Sequence, residues 1–161
     1  MTSDVELDHP RRCVELAAEA LRAGDEPFGS VLVASDGSRL AEDRNRVASG
    51  GDATLHPEFA LARWAAANMT PAERAAATVF TSGEHCPMCA AAHGWVGLGR
   101  IVYVSSAAQL AGWLTELGAG APPVRMLPVT EVVPGLVVEG PITALADEVR
   151  ELHRRFALRR D

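Results

Sequence analysis

The sequence predicts an α/β sandwich built on a mixed sheet. Three observations carry this expectation. Segments of helical period alternate with short β-branched runs along most of the 161 residues. An Asp36-Gly37 pair separates the first two strand-like runs, which signals a hairpin and so an antiparallel pair. The later strand-like runs are each followed by a helical stretch, which makes the sheet mixed. The length suits one domain spanning 1–161, large enough for a stable core without disulfides.

The elements follow in order. Asp8 is placed to cap a first helix that enters through Pro10 and runs to about Gly24, with Cys13, Leu16, Ala17, Ala20 and Leu21 on one stripe. Pro27 stops it, and 28–34 reads as a strand. The hairpin leads into a second strand over 40–47, and 50–55 is a loop. Pro57 belongs at the first position of the next helix, where its missing N–H costs nothing, and that helix reaches Asn68. Thr70-Pro71-Ala72-Glu73 is a capping box for one further turn. A strand over 78–82 precedes a helix beginning at Cys86, which Gly97 and Gly99 end. Residues 100–104 form a strand, 107–117 a helix, and 118–123 a loop. A fifth strand is expected over 124–129, followed by a turn at Pro134-Gly135. A last helix covers 142–158, with Leu145, Val149, Leu152 and Phe156 on one side.

Composition narrows the function. The chain is 48% hydrophobic and 22% charged, as in ordinary globular proteins, and holds no apolar run long enough to cross a bilayer. Residues 1–6 lack the basic and apolar regions of a signal peptide, so a cytoplasmic location is expected. The net charge is −6, and all 15 basic residues are arginine. An acidic chain is poorly suited to a polyanion, and the arginines at 150, 154, 155, 159 and 160 are interleaved with Asp147, Glu148 and Glu151 as on a solvated helix face. Small-molecule substrates are therefore favoured over nucleic acid, and Cys13 reads as a buried thiol.

Chemistry concentrates in Thr81-Ser82-Gly83-Glu84-His85-Cys86-Pro87-Met88-Cys89, read with His56-Pro57-Glu58. Two cysteines three apart can meet one metal when the second lies in the first turn of a helix, and His56 offers a third ligand. Glu58, two residues on, can reach a water at the metal without ligating it. Three ligands with a neighbouring carboxylate make an open zinc site of the catalytic kind. A second reading is open at this point. His93 lies four residues after Cys89, so Cys86, Cys89, His93 and His56 can instead close a structural Cys2His2 shell, leaving Glu58 on the surface.

The H-x-E and C-x-x-C pattern resembles that of the cytidine-deaminase superfamily of zinc hydrolases. His85 stands where that pattern has proline. The resemblance implies a three-layer α/β/α sandwich with a five-stranded central sheet, zinc on His56, Cys86 and Cys89, and Glu58 as general acid/base. In such enzymes zinc supplies hydroxide at neutral pH. Glu58 would carry a proton from the water to a ring nitrogen and then to the departing amine, releasing ammonia.

Flanking residues are similar to the guanine-deaminase-like branch, which acts on free bases. Pro27-Phe28-Gly29-Ser30-Val31-Leu32-Val33 resembles its first strand, Asn45 stands where that branch carries a base-binding asparagine, and Trp95 occupies a position suggesting a pocket wall. Phe28 is a candidate stacking residue, although core packing would also suit it. His85 has second-shell support, substrate contact and a surface position all open to it. Departures bear on the substrate: Ala53, Leu55 and Pro57 differ from the D-P-T-A-H-A-E pattern, the tail carries no tyrosine, and Glu131 and Glu139 are both available as a second carboxylate. The resemblance implies a free amino-heterocycle, guanine-like, cytosine-like or an amino-s-triazine. A tRNA wobble-adenosine deaminase, a nucleoside deaminase and a non-catalytic zinc-stabilised binding module are the competing readings. It also implies a homodimer whose C-terminal segment completes a neighbouring site, for which the 145–156 stripe is long enough.

Overall fold

The computed structural model describes residues 7–159. Helix α1 (Asp8–Arg22) is followed by the hairpin β1 (Gly29–Val33) and β2 (Arg39–Arg44), a single turn α2 (Val47–Gly50), α3 (Pro57–Asn68) and α4 (Pro71–Ala76). Then come β3 (Thr78–Gly83), α5 (Pro87–Val96), β4 (Ile101–Ser105), α6 (Ala107–Glu116), α7 (Val129–Val132), β5 (Val138–Glu139) and α8 (Thr143–Ala157). The five strands lie in the order β2-β1-β3-β4-β5. β1 is antiparallel to both neighbours, while β3, β4 and β5 are parallel.

The alternation of side chains along the central strands explains the three layers. Val31 and Val33 of β1 pack with Phe80 and Val102 against Cys13 and Leu16 of α1. Leu32, between them, faces the other way with Val79, against Leu61, Ala62 and Ala65 of α3. Every residue of β1 is buried because both its faces are covered. Gly29 is required where α1 crosses the strand, since a Cβ there would lie 2.4 Å from Leu16 Cβ and 2.5 Å from the Cys13 carbonyl oxygen.

Two expectations at element ends are corrected. Asp8 does not cap α1: Leu7 holds the cap position without a side-chain bond, and the Asp8 carboxylate pairs with Arg39 on β2 at 2.7 Å. β2 ends at Arg44, short of Val47, because the side-chain oxygen of Asn45 accepts the Val47 N–H and turns the chain into α2. The Thr70–Glu73 capping box forms as expected.

The fifth strand lies elsewhere than expected. Residues 124–128 are irregular, with Val124 and Met126 exposed, and Val129 opens α7. Pro128 removes a ladder donor within this stretch, and Pro122 and Pro123 immediately precede it. The free edge of β4 is taken instead by Val138 and Glu139, beyond the Pro134-Gly135 turn.

The apolar stripe of α8 covers this chain's own core rather than a neighbour. Leu145, Val149 and Leu152 are buried with Val14, Ala17, Leu21 and Val104, and Phe156 packs beside them. The stripe therefore cannot serve as a free docking face. α8 also buries His153, whose Nε2 has no hydrogen-bond partner among the described residues. Burial lowers its pKa to about 4.

That gives a pH prediction. The unfolded chain binds the His153 proton near the ordinary value of about 6.5 and the folded chain does not, so stability falls as pH drops from about 6.5 toward 4. At pH 5 the residue should cost about 2 kcal/mol relative to pH 7. Urea unfolding of wild type and His153→Leu at both pH values checks this. Equal pH dependence in the two proteins would contradict it.

Candidate metal and catalytic site

The site lies where β3 ends and two helices begin. His56 occupies the cap position of α3 and Cys86 that of α5, each in extended conformation ahead of a proline at the first helical position. Cys89 sits in the first turn of α5. His56 Nδ1 is 3.5 Å from Cys86 Sγ and 3.6 Å from Cys89 Sγ, and the three ligand atoms lie within 4.8 Å of one another. Tetrahedral zinc with ordinary Zn–S and Zn–N bonds places such atoms about 3.6 Å apart, so the donor set fits zinc through the Nδ1 nitrogen.

The two thiols are strongly coupled. Cys86 is pulled down to about 4, chiefly by its neighbour Cys89 and also by the His56 imidazole, while Cys89 is pushed up by the sulfur of Cys86 and by burial. His56 is raised, mainly by its contact with Cys86.

Glu58, in the first turn of α3, is only 6% exposed. Burial raises its pKa above the usual carboxylate range, opposed by its own backbone N–H and the nearby His56. The Thr81 hydroxyl is 3.0 Å from Glu58 Oε1 and 2.9 Å from the Gly83 carbonyl, and it accepts from Ser30 Oγ at 2.9 Å. The sequence marks Thr81 as the start of the chemistry-bearing stretch but assigns it no role of its own. The signal for it was the buried polar trio Ser30, Thr81 and Ser82 in otherwise apolar strands.

The structural Cys2His2 reading does not survive. His93 bonds to the Gly99 carbonyl at 2.7 Å, and the metal-ligating cluster comprises His56, Cys86 and Cys89 without it.

The remaining candidates separate into those at the site and those away from it. Asn45 is 1% exposed. Its N–H donates to the Phe28 carbonyl, while Arg46 N–H donates to Leu55 O, next to His56. Because the Asn45 oxygen is committed to Val47, its amide nitrogen is the end left without a partner among the described residues. Phe28 stands beside Gly83, where a Cβ would come within 3.2 Å of its ring, and meets His153 edge-on at 5.0 Å. Asp25, wholly buried, was also missed. It accepts from Arg44 and from both the N–H and hydroxyl of Ser49, and these bonds outweigh burial to hold its pKa low. Arg44 in turn donates to the Asn45 carbonyl.

Three expected contacts are not found here. Trp95 is 89% exposed near the end of α5, so it cannot wall a pocket within its own chain. The His85 ring is buried edge-on to His93, with centroids 5.3 Å apart, which excludes a surface position and turns it away from a solvent-borne substrate. Glu131 is exposed on α7, and Glu139 pairs with Arg100 on the exposed sheet edge, so neither supplies a second carboxylate at the cluster.

The cytidine and deoxycytidylate deaminase zinc-binding region matches residues 4–105, and the chain belongs to that family. It is 35% identical over 96 residues to a guanine deaminase of Bacillus subtilis, covering 59% of this chain but only 61% of that protein's length. It is 29% identical to a probable cytosine deaminase of Schizosaccharomyces pombe over 75% of this chain and 72% of the relative. Among solved structures, a tRNA:A34 deaminase superposes with a TM-score of 0.63 at 26% identity, covering 89% of this chain and 97% of the other. The fold is thus that of the cytidine deaminases, and the family is one of zinc-binding deaminases.

Proposed function

We propose that this chain is one domain that hydrolyses the exocyclic amine of a free, planar amino-heterocycle, a nucleobase or base analogue, and releases ammonia. The observation that carries this reading is Glu58, buried beside the three metal ligands and hydrogen-bonded by Thr81. Zinc on His56, Cys86 and Cys89 would lower the pKa of a water there to about 7 and so supply the nucleophile at neutral pH.

Every other step belongs to the chain. Glu58 takes the proton of the attacking water and gives it to the ring nitrogen next to the amine-bearing carbon, making that carbon electrophilic. The carbon gains the water oxygen. Glu58 then takes the proton left on the added oxygen and delivers it to the amine, the C–N bond breaks as the carbonyl forms, and ammonia leaves. A raised Glu58 pKa suits a group that must both accept and donate. Asn45 Nδ2 donates to an acceptor on the ring, and Phe28 lies against its face.

A free base is favoured over a nucleotide or RNA because the cations near Asn45 are already engaged. Arg44 is paired with buried Asp25, and Arg46 with Asp43. On α8, Arg150 pairs with Glu116, and Arg154 and Arg155 with Glu151. An unpaired phosphate dianion would find little to neutralise it. Action on tRNA adenosine is the second reading, favoured by the 26% identical tRNA deaminase structure and opposed by the net charge of −6.

Comparing kcat/KM for matched pairs, each free base against its ribonucleoside, tests the proposal. The base should win in every productive pair, and Asn45→Ala should lose roughly 1–3 kcal/mol, about 5- to 150-fold, on the best one. Consistent preference for the nucleoside would move the assignment to the nucleoside or RNA branch.

The reading includes a homodimer, supported by the exposed Trp95 rather than by the α8 stripe. Light scattering showing a fully active monomer at working concentration would remove it. The cytoplasm is the compartment proposed, since two cysteines held for a metal must stay reduced.

A further inference from the structure

Glu84 lies two residues before Cys86, and its carboxylate holds together segments far apart in the chain. Oε1 accepts the N–H of Ala107, the first residue of α6, at 3.0 Å. Oε2 accepts the N–H of Val129, the first residue of α7, at 2.9 Å. The backbone N–H of Glu84 donates to Ser105 O at 2.8 Å, so strand β4 is tied to the same point. Val129 is wholly buried against Ala90 of α5 and Ile101 of β4, and Val133 presses on α5 at Gly94, where a Cβ would meet it at 2.9 Å. The α7 segment thus lies over α5, the helix that carries Cys89. Between Glu84 and Cys86, the buried ring of His85 makes no hydrogen bond with the described residues. Side-chain polar anchoring of this arm therefore comes from Glu84.

We propose that Glu84 is a positioning residue for the metal: by clamping the starts of α6 and α7 to the arm 84–86, it fixes Cys86 at the metal against the covered helix. The claim concerns the metal centre and does not depend on which base is the substrate.

Glu84→Gln is the discriminating substitution, because it keeps the volume and one accepting oxygen but replaces the other with an N–H that faces an N–H. Zinc-loaded protein is mixed with excess EDTA and the release of zinc is followed with time. Release should be about tenfold faster in Glu84→Gln, the scale expected when support behind a ligand is lost. Thr70→Ala removes the distant α4 cap and supplies a protein destabilised away from the arm. It should release zinc at the wild-type rate. Equal release from Glu84→Gln and Thr70→Ala would overturn the proposal. A second measurement needs no variant. Coupling is reciprocal, so removing zinc from wild type should speed amide exchange at Ala107 and Val129 more than at Glu73. Unchanged exchange at both of those amides would also overturn it.

Discussion

Glu58→Gln should bind zinc and fold as wild type does, yet lose turnover by roughly 10²–10⁴-fold, or more if the residue moves protons in several steps. The substitution is nearly isosteric at a residue that is only 6% exposed, so packing around it is preserved. Thr81 can still donate to the remaining carbonyl oxygen of the amide. The variant lacks the ability to accept a proton from water and pass it on. The loss should appear in kcat, with KM little changed, because the proposed role is exercised after the ring is bound. Zinc content, thermal melting and ammonia release on the same preparation give the answer. Near-wild-type turnover with bound zinc would show that another group moves the protons.

The second large effect is expected at Cys86. Cys86→Ala removes the ligand at the cap position of α5, which faces His56 at 3.5 Å and whose pKa is lowered by Cys89 and His56. Zinc bound by four ligands is worth about 10–16 kcal/mol in small folded sites, or roughly 3 kcal/mol per ligand, so affinity should drop by about 10²-fold or more. Thermal stability should fall with it in the presence of zinc, because α3 and α5 lose the tie through His56. In the metal-free state the two proteins should melt close together. A Cys86→Ala protein that keeps stoichiometric zinc through dialysis would remove this residue from the ligand set.

The site was legible in the sequence where its residues are neighbours along the chain. His56 with Glu58 and Cys86 with Cys89 are each local pairs, and prolines 57 and 87 announce the two helix starts that bring the pairs together across 30 residues. Thr81, Asp25 and Glu84 act through partners that only the folded chain supplies: Glu58, Arg44 and Ala107, respectively 23, 19 and 23 residues away. His93 had the right helical spacing for a ligand and was drawn off by the Gly99 carbonyl instead. Trp95 had a suggestive offset from the cysteines, but the helix turns it to solvent. The fold shows the same division. Helices with caps and strands with two covered faces were readable within a few residues. The fifth strand was not, because two residues carry no pattern and the edge of β4 selected Val138-Glu139 over the more apolar run before it.

The measurement that bears most directly on the central claim is ammonia release by the zinc-loaded protein, with Glu58→Gln in parallel, across free amino-heterocycles and an adenosine-bearing RNA hairpin. At least one free base should give stoichiometric ammonia, the RNA none above background, and the variant should lose the signal. Ammonia from the RNA alone, or from no free base at all, would contradict the claim.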